Sequence, residues 1–176
     1  MKNISKKFLK IKYNTRMNKV TIKKIGFKLI GETIEKNNHL SFKAIDRNDK
    51  IVSIDDFKGI KIISLFPDIQ TRVCDVQTRK IAKYAKENPK INFISITMDT
   101  VSKINKWCLA SGVENIHIWS DWKLREFSSK TNAIIRKINK LARGFIILDD
   151  KNKIIEVSLN SEIAQEPDYS VLEKYL

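Results

Sequence analysis

The sequence predicts an α/β fold: a mixed central sheet flanked by helices, with a β-hairpin at the N-terminal end. Three observations carry this. Strand-like and helix-like stretches alternate through the middle of the chain. Two of the strands, "IKIISLF" and "INFISITMD", are continuously apolar, as strands buried on both faces are. A late segment, "RGFIILDDKNKIIEVSL", reads as a hairpin turning at "DDKNK", which adds antiparallel strands.

The elements follow in order. Residues 1–16 hold six basic residues and no acidic one, and read as a poorly ordered basic tail with some amphipathic, transit-peptide-like character. A cleaner pattern opens at Met17, so the expected domain runs from 17 to 176. "KVTIKKIGFKLIGE" alternates as a strand, a turn near Gly26 and a second strand. "LSFKAIDRNDKIVSI" repeats that design with "DRNDK" as its turn. "SIDDFKG" reads as one helical turn, with Ser53 as cap and Gly59 as stop. After "IKIISLF", the stretch "CDVQTRKIAKYAKEN" reads as a helix ending before Pro89. "VSKINKWCLASG" is a second helix stopping near Gly112, "IHIWSD" a third strand, and "WKLREFSSKTN" a further helix. The closing "EPDYSVLEKYL" reads as a helix with Pro167 in its first turn. Parallel strands joined by helices imply right-handed crossovers. The order matches the thioredoxin-like layout.

Composition narrows the function classes. About 42% of the 176 residues are hydrophobic, enough for one domain with a real core. No apolar run approaches the roughly 18 residues of a membrane span. The N-terminus lacks the pattern of a secretory signal, so a cytoplasmic protein without membrane contact is expected. The net charge of +14 raises the question of nucleic acid. However, the basic residues are mostly lysines scattered along a chain also rich in Asn and Ile. No aromatic RNA-binding strand or zinc-finger spacing accompanies them, and no nucleic-acid partner is expected. His39, His117 and the acids show no metal-ligand spacing, and there is no Gly-rich phosphate loop. Neither a metal nor a cofactor is expected. Trp107, Trp119 and Trp122 fit helix, strand and helix core positions.

The two cysteines, Cys74 and Cys108, lie 34 positions apart with no CxxC. Inert core filling is the ordinary reading of such residues. Position argues otherwise for Cys74. It stands at the start of a helix that leaves the C-terminal edge of a buried strand, where open α/β sheets bind ligands. A helix N-terminus offers unpaired N–H groups and positive potential, both favouring a thiolate. Ionisation alone is not enough. A free thiol near pKa 8.5 is already about 3% ionised at pH 7, so full ionisation gains only about 30-fold. A fast thiol enzyme also needs donors aimed at the reacting atoms. Thr71 can point its hydroxyl into the same pocket, Pro67 can shield the thiol, and an arginine from elsewhere can supply a fork of donors.

With these residues set out, the chain resembles the peroxiredoxins, and within them the thiol peroxidase subfamily, the atypical two-cysteine type. "FPDIQTRVC" supplies Pro67-x-x-x-Thr71-x-x-Cys74, and Arg79 follows five residues after the cysteine. "WCLASG" is similar to the family's resolving-cysteine context at Cys108. "SDWKLREF" is similar to a further segment, with Phe127 in register. "KLARGFIILD" places the family's catalytic arginine at Arg143, and Glu166 to Tyr169 read E-P-D-Y. The resemblance covers roughly residues 17–176. Asp68, Gln70 and Arg72 depart from the pattern. So do "EKNNHLSF", without Gly or Pro, and "TNAI".

The resemblance implies that Cys74 attacks a hydroperoxide while Thr71 and Arg143 hold it, with Pro67 and Arg79 shaping the site. It implies that Cys108 then closes a disulfide with Cys74, which thioredoxin reduces. It also implies a homodimer as a common assembly. Cys74 and Cys108 lie on separate helices, so local unwinding is expected before the bond can close. Plainer readings stand beside these. Cys108 beside Trp107 could be packing, Arg143 a surface arginine, Arg136 its rival, and Arg79 the partner of an acid on its own helix. A thiol–disulfide exchanger on the same fold, which normally uses CxxC, and a basic binding module are the alternative functions.

Overall fold

The computed structural model describes residues 17–114 and 116–176; the basic tail expected at 1–16 lies outside them. The chain runs β1 (Lys19–Ile22), β2 (Ile25–Ile30), β3 (Lys43–Ile45), β4 (Ile51–Ser53), β5 (Lys61–Leu65) and α1 (Arg72–Glu87). It continues β6 (Asn92–Thr97), α2 (Val101–Ser111), β7 (His117–Ser120), α3 (Glu126–Lys130), β8 (Ile134–Ile135), β9 (Lys140–Leu141), β10 (Gly144–Leu148) and β11 (Ile154–Leu159).

The central sheet has the order β11-β10-β5-β6-β7-β3-β4. Strands β5, β6 and β7 are parallel, while β10, β11, β3 and β4 pair antiparallel. This is the mixed sheet of the thioredoxin-like layout. Both faces of β5 are covered because successive side chains alternate between two cores. Ile63 and Leu65 join one apolar cluster with Ile94, Ile96, Trp119 and Phe127. Ile62 joins the other with Phe93, Ile118, Ile81 from α1 and Ile104 from α2. Cys74 and Cys108 both lie in this second cluster. Lys61 is the exception inside β5. It is buried, and its ammonium donates to the carbonyls of Asp149 and Asp150 at 3.0 Å each.

The capped turn at residues 54–56 forms as expected, with Ser53 and Asp56 making a reciprocal capping box. Elsewhere the structure differs from the sequence reading. The first hairpin turns at Lys23 and Lys24, with φ of 50° and 70°, and Gly26 lies within β2. Two non-glycine residues in the left-handed region are costly. The Glu162 carboxylate offsets that by accepting the N–H groups of Lys23 and Lys24 at 3.1 Å each.

The hairpin does not stand alone. β8 and β9 extend it into a second sheet of order β1-β2-β8-β9, too short in strand length to be read from pattern. The helix expected over "WKLREFSSKTN" shrinks to α3. Buried Asp121 accepts the N–H groups of Phe127 and Ser128, and Arg125 sits at φ 56°, so the helix begins only after it. Trp122 therefore falls in a turn and is 47% exposed, while Trp107 and Trp119 are buried. The C-terminal helix is reduced to a 3-10 turn at Tyr169–Val171, started by the Asp168 carboxylate accepting the Ser170 N–H.

Candidate active site

β5 is aimed at the site and ends at Leu65, one residue before Phe66 and Pro67. A tight loop then leads into α1. Thr71 is the residue before the helix, with extended φ and ψ of −81° and 147°. Its hydroxyl makes no capping bond to the helix backbone. Instead it lies 3.0 Å from the Asp68 carbonyl and 2.9 Å from Cys74 Sγ. A hydroxyl has one proton and two lone pairs. With a thiol, S–H can donate to Thr71 while Thr71 donates to Asp68. With a thiolate, the Thr71 proton turns to sulfur.

Cys74 is the third residue of α1 rather than its first, and it is fully buried. Thr78 returns a hydrogen bond to its carbonyl at 2.8 Å. Arg143 arrives from the other side of the fold, immediately before β10. It is only 2% exposed, so it is not a surface arginine. Its three nitrogens are all placed: Nη2 donates to Cys74 Sγ at 3.2 Å, Nη1 to Gln77 Oε1 at 2.5 Å and Nε to the Ile163 carbonyl at 2.8 Å. Gln77 is fixed in turn by donating to Ser64 Oγ and the Leu65 carbonyl. The rival, Arg136, is exposed.

Gly144 explains why this arginine can sit so deep. It has φ 148°, and a Cβ there would lie 2.1 Å from the Ser158 carbonyl oxygen. Only glycine lets β10 start that close to β11.

A burial that enclosed a guanidinium without an anion would be costly. No carboxylate is hydrogen-bonded to Arg143 among the described residues, although the Glu166 charge acts on it from a distance, and a thiolate at Cys74 would put a negative partner in direct contact. Thr71 and Arg143, with Pro67, also line a cavity of about 460 Å³. Its other walls include Ile22, Val73, Ile138 and Ile163, so a small group meets the two donors at the end of an apolar recess. A separate hollow of about 600 Å³, lined by residues such as Arg47, Glu114 and His117, contains none of these groups.

The remaining predicted residues are placed differently. Arg79 does not reach Cys74. Its Nε is 3.1 Å from Asp75 on its own helix, its Nη1 donates to the Ser111 carbonyl at 3.2 Å, and it lies over the Trp107 ring. Asp75 also accepts Trp107 Nε1 at 2.9 Å, which ties α1 to α2. Cys108 is a free, buried thiol in α2, three residues before that helix ends, and burial pushes its pKa up. Among the described residues no group of three or more metal-ligating side chains occurs, and no helix is long and apolar enough to cross a membrane.

Sequence reasoning missed Gln77, which holds Arg143, although it is one helical turn from Cys74 on the same face. It also missed Asp99, whose partner in the thiol loop is 30 positions away. No local signal announces such a contact.

Donors converging on a buried sulfur, rather than on a site for a carbonyl oxygen, suit a thiolate that displaces an oxygen leaving group. On a thioredoxin-like sheet, that defines the class of thiol-based peroxide-reducing proteins. The particular family follows from comparison with known proteins. The AhpC/TSA family pattern matches residues 36–157, and the chain belongs to that family, within its thiol peroxidases. It is 31% identical over 162 residues to a thiol peroxidase of Staphylococcus haemolyticus, covering 90% of this chain and 98% of that one. A thiol peroxidase of Oceanobacillus iheyensis is 32% identical over 124 residues, 70% of this chain and 76% of that protein. Among solved structures, a peroxiredoxin-like protein from Aquifex aeolicus superposes with TM-score 0.82 at 22% identity, covering 89% of this chain and 95% of that one. The thiol peroxidase from Chromobacterium violaceum gives 0.80 at 19%, over 89% and 93%. These two show the shared fold.

Proposed function

We propose that residues 17–176 form a thiol-dependent peroxidase domain in which Cys74 is the attacking thiol. The observation that carries this is the convergence of Thr71 Oγ1 and Arg143 Nη2 on Cys74 Sγ, at 2.9 and 3.2 Å. The Cys74 thiolate attacks one oxygen of a hydroperoxide in line with the O–O bond. An S–O bond forms and the O–O bond breaks. The other oxygen leaves as hydroxide or alkoxide, is held by Arg143 and Thr71 as charge develops, and takes up a proton to become water or an alcohol. Cys74 is left as a sulfenic acid.

The Cys108 thiol then condenses with that sulfenic acid. The S–S bond forms and water departs. A thioredoxin-type dithiol reduces the disulfide, in keeping with a cytoplasmic setting where such reductants keep thiols reduced. The substrates are hydrogen peroxide and organic hydroperoxides, whose apolar part suits the recess in front of Thr71. Pro67 shields the sulfur. Arg79 acts on the link between α1 and α2 rather than on the sulfur.

Peroxide consumption by the wild type, Cys74→Ser and Cys108→Ser tests this. Cys74→Ser is expected to lose all activity. Cys108→Ser is expected to complete one oxidation and then stall even with thioredoxin supplied, because it forms no disulfide for that dithiol to reduce. Intact mass after one equivalent of peroxide should show loss of two hydrogens in the wild-type monomer. A wild type no faster than a free thiol would sink the reading.

A further inference from the structure

Four charged side chains meet at the thiol loop: Asp68 from the loop itself, and Asp99, Lys103 and Lys140 from three other segments. Asp99 follows β6 and is 2% exposed. Its Oδ2 accepts the Ile69 N–H at 2.7 Å and the Thr97 hydroxyl at 3.0 Å. Its Oδ1 accepts from Lys103 on α2 at 3.0 Å and from Lys140 on β9 at 2.9 Å. Both lysines are shared with Asp68, at 2.6 Å for Lys103 and 3.4 Å for Lys140. Charges alternate around the group, so each carboxylate sees two cations and each cation two carboxylates.

The loop between β5 and α1 is held at consecutive residues by this group. Ile69 gives its N–H to Asp99. Asp68 accepts the Gln70 N–H on its carboxylate and the Thr71 N–H on its carbonyl, at 3.1 Å each. That same Asp68 carbonyl is the alternative acceptor for the Thr71 hydroxyl. A shift of Asp68 therefore moves both the backbone and the hydroxyl of Thr71. A buried carboxylate with two cationic partners is well placed to fix this geometry, because removing a partner leaves a charge uncompensated.

We propose that Asp99, with Lys103 and Lys140 bridging it to Asp68, is a positioning residue for the peroxidase reaction: it acts through the loop to set the Thr71 hydroxyl against Cys74 Sγ. This rests on the role given to Thr71 above. It touches neither sulfur nor peroxide itself. It accounts for Asp68, one of the residues at which the sequence departs from the family pattern, as part of a local support rather than as a reacting group.

A double-mutant cycle separates action through Thr71 from general damage. The readout is the second-order rate of Cys74 oxidation by hydrogen peroxide, too small to need the outer pocket. Thr71→Val is expected to slow it about 100-fold, the scale of losing one oriented donor. Asp99→Asn and Lys103→Met, each in the wild-type background, are expected to slow it about 10-fold through misplacement of a reacting group. In the Thr71→Val background, the same changes should cost less than about 2-fold, because they act on a hydroxyl no longer present. Lys103→Arg should restore most of the rate. Lys103 does not line the pocket, so Lys103→Met carries the test if Asp99→Asn fails to fold.

Costs that simply multiply in the double mutants, or single variants that oxidise as fast as wild type, overturn the proposal. If Thr71→Val itself leaves the rate unchanged, the role of Thr71 fails and the proposal with it. If peroxide consumption survives Cys74→Ser, the peroxidase reading fails instead.

Discussion

Both thiols are buried, but they are held in opposite ways. At Cys74, one side chain three residues earlier and one 69 positions later already meet the sulfur. At Cys108, no hydrogen bond to the sulfur is found among the described residues. Burial pushes that thiol up, with Glu114 adding to the rise and Arg47 opposing it. What is tied at Cys108 is the backbone around it: its carbonyl accepts from Gly112 N–H and Ser111 Oγ, and Trp107 beside it donates to Asp75. The first thiol has its two polar partners in place in the folded state, as the proposed attack requires. The second is packed away, so on the proposed cycle its step depends on movement. Preorganisation serves the step with the developing charge, and a closed helix suits the step that must wait.

The largest expected effect tests the prepared end. Arg143→Met removes the guanidinium but keeps a long apolar stem. Cys74 loses a donor at 3.2 Å and Gln77 loses its partner. Oxidation of Cys74 should slow by about 10²–10³-fold, the range for deleting one preorganised donor. The Cys108 step, followed after chemical formation of the sulfenic acid, should change far less. A comparable loss at both steps would erase the contrast between the two ends.

The closed end should respond the other way. Asp75 binds Trp107 Nε1 and Arg79, and Arg79 reaches on to the Ser111 carbonyl, so one carboxylate fastens α1 to the last turn of α2. The Arg79 and Asp75 side chains are 48% and 33% exposed, so solvent weakens their ion pair, and the part-buried indole bond matters more. Asp75→Ala should ease local opening by about 1 kcal/mol, the net worth of one hydrogen bond. Stopped-flow tryptophan fluorescence should then show disulfide formation about 5-fold faster, with Cys74 oxidation changed less than 2-fold. Slower disulfide formation would mean that the latch guides Cys108 rather than restrains it.

How far the sequence revealed this contrast depended on the range of the contacts. β5, α1, β6, α2 and β10 were legible because their apolar patterns are long and their stops are local. Thr71 and Cys74 are neighbours, so their pairing could be argued from spacing, while Arg143 was singled out only by resemblance. Gln77 was invisible as a support because its partner is 66 positions away. α3 was overextended because nothing in "WKLREF" shows that Asp121 turns inward to meet the helix start. The shared theme is that side chains bonding to remote backbone reset element boundaries without changing the local pattern.

The smallest expected effect concerns the wall of the prepared end. Glu162 gathers the N–H groups of Lys23, Lys24 and Ala164 and the Thr21 hydroxyl, which lowers its pKa from 4.5 to about 2. Because the folded value is the lower one, its contribution is fully present above pH 4.5 and lost as pH falls toward 2. Ile22 and Lys23 on one side of that carboxylate, and Ile163 and Ala164 on the other, line the recess in front of Thr71. Acid should therefore loosen the β1–β2 turn between those pH values. Amide exchange at Lys23, Lys24 and Ala164, corrected for intrinsic rates, should rise there, while amides of α2 near Cys108 stay unchanged. Glu162→Gln should flatten that pH dependence and leave the turn about 5-fold less protected at neutral pH, the scale of one weakened hydrogen bond. Protection lost equally in α2 would mean that the two ends open together, and that the difference between them is one of side chains alone.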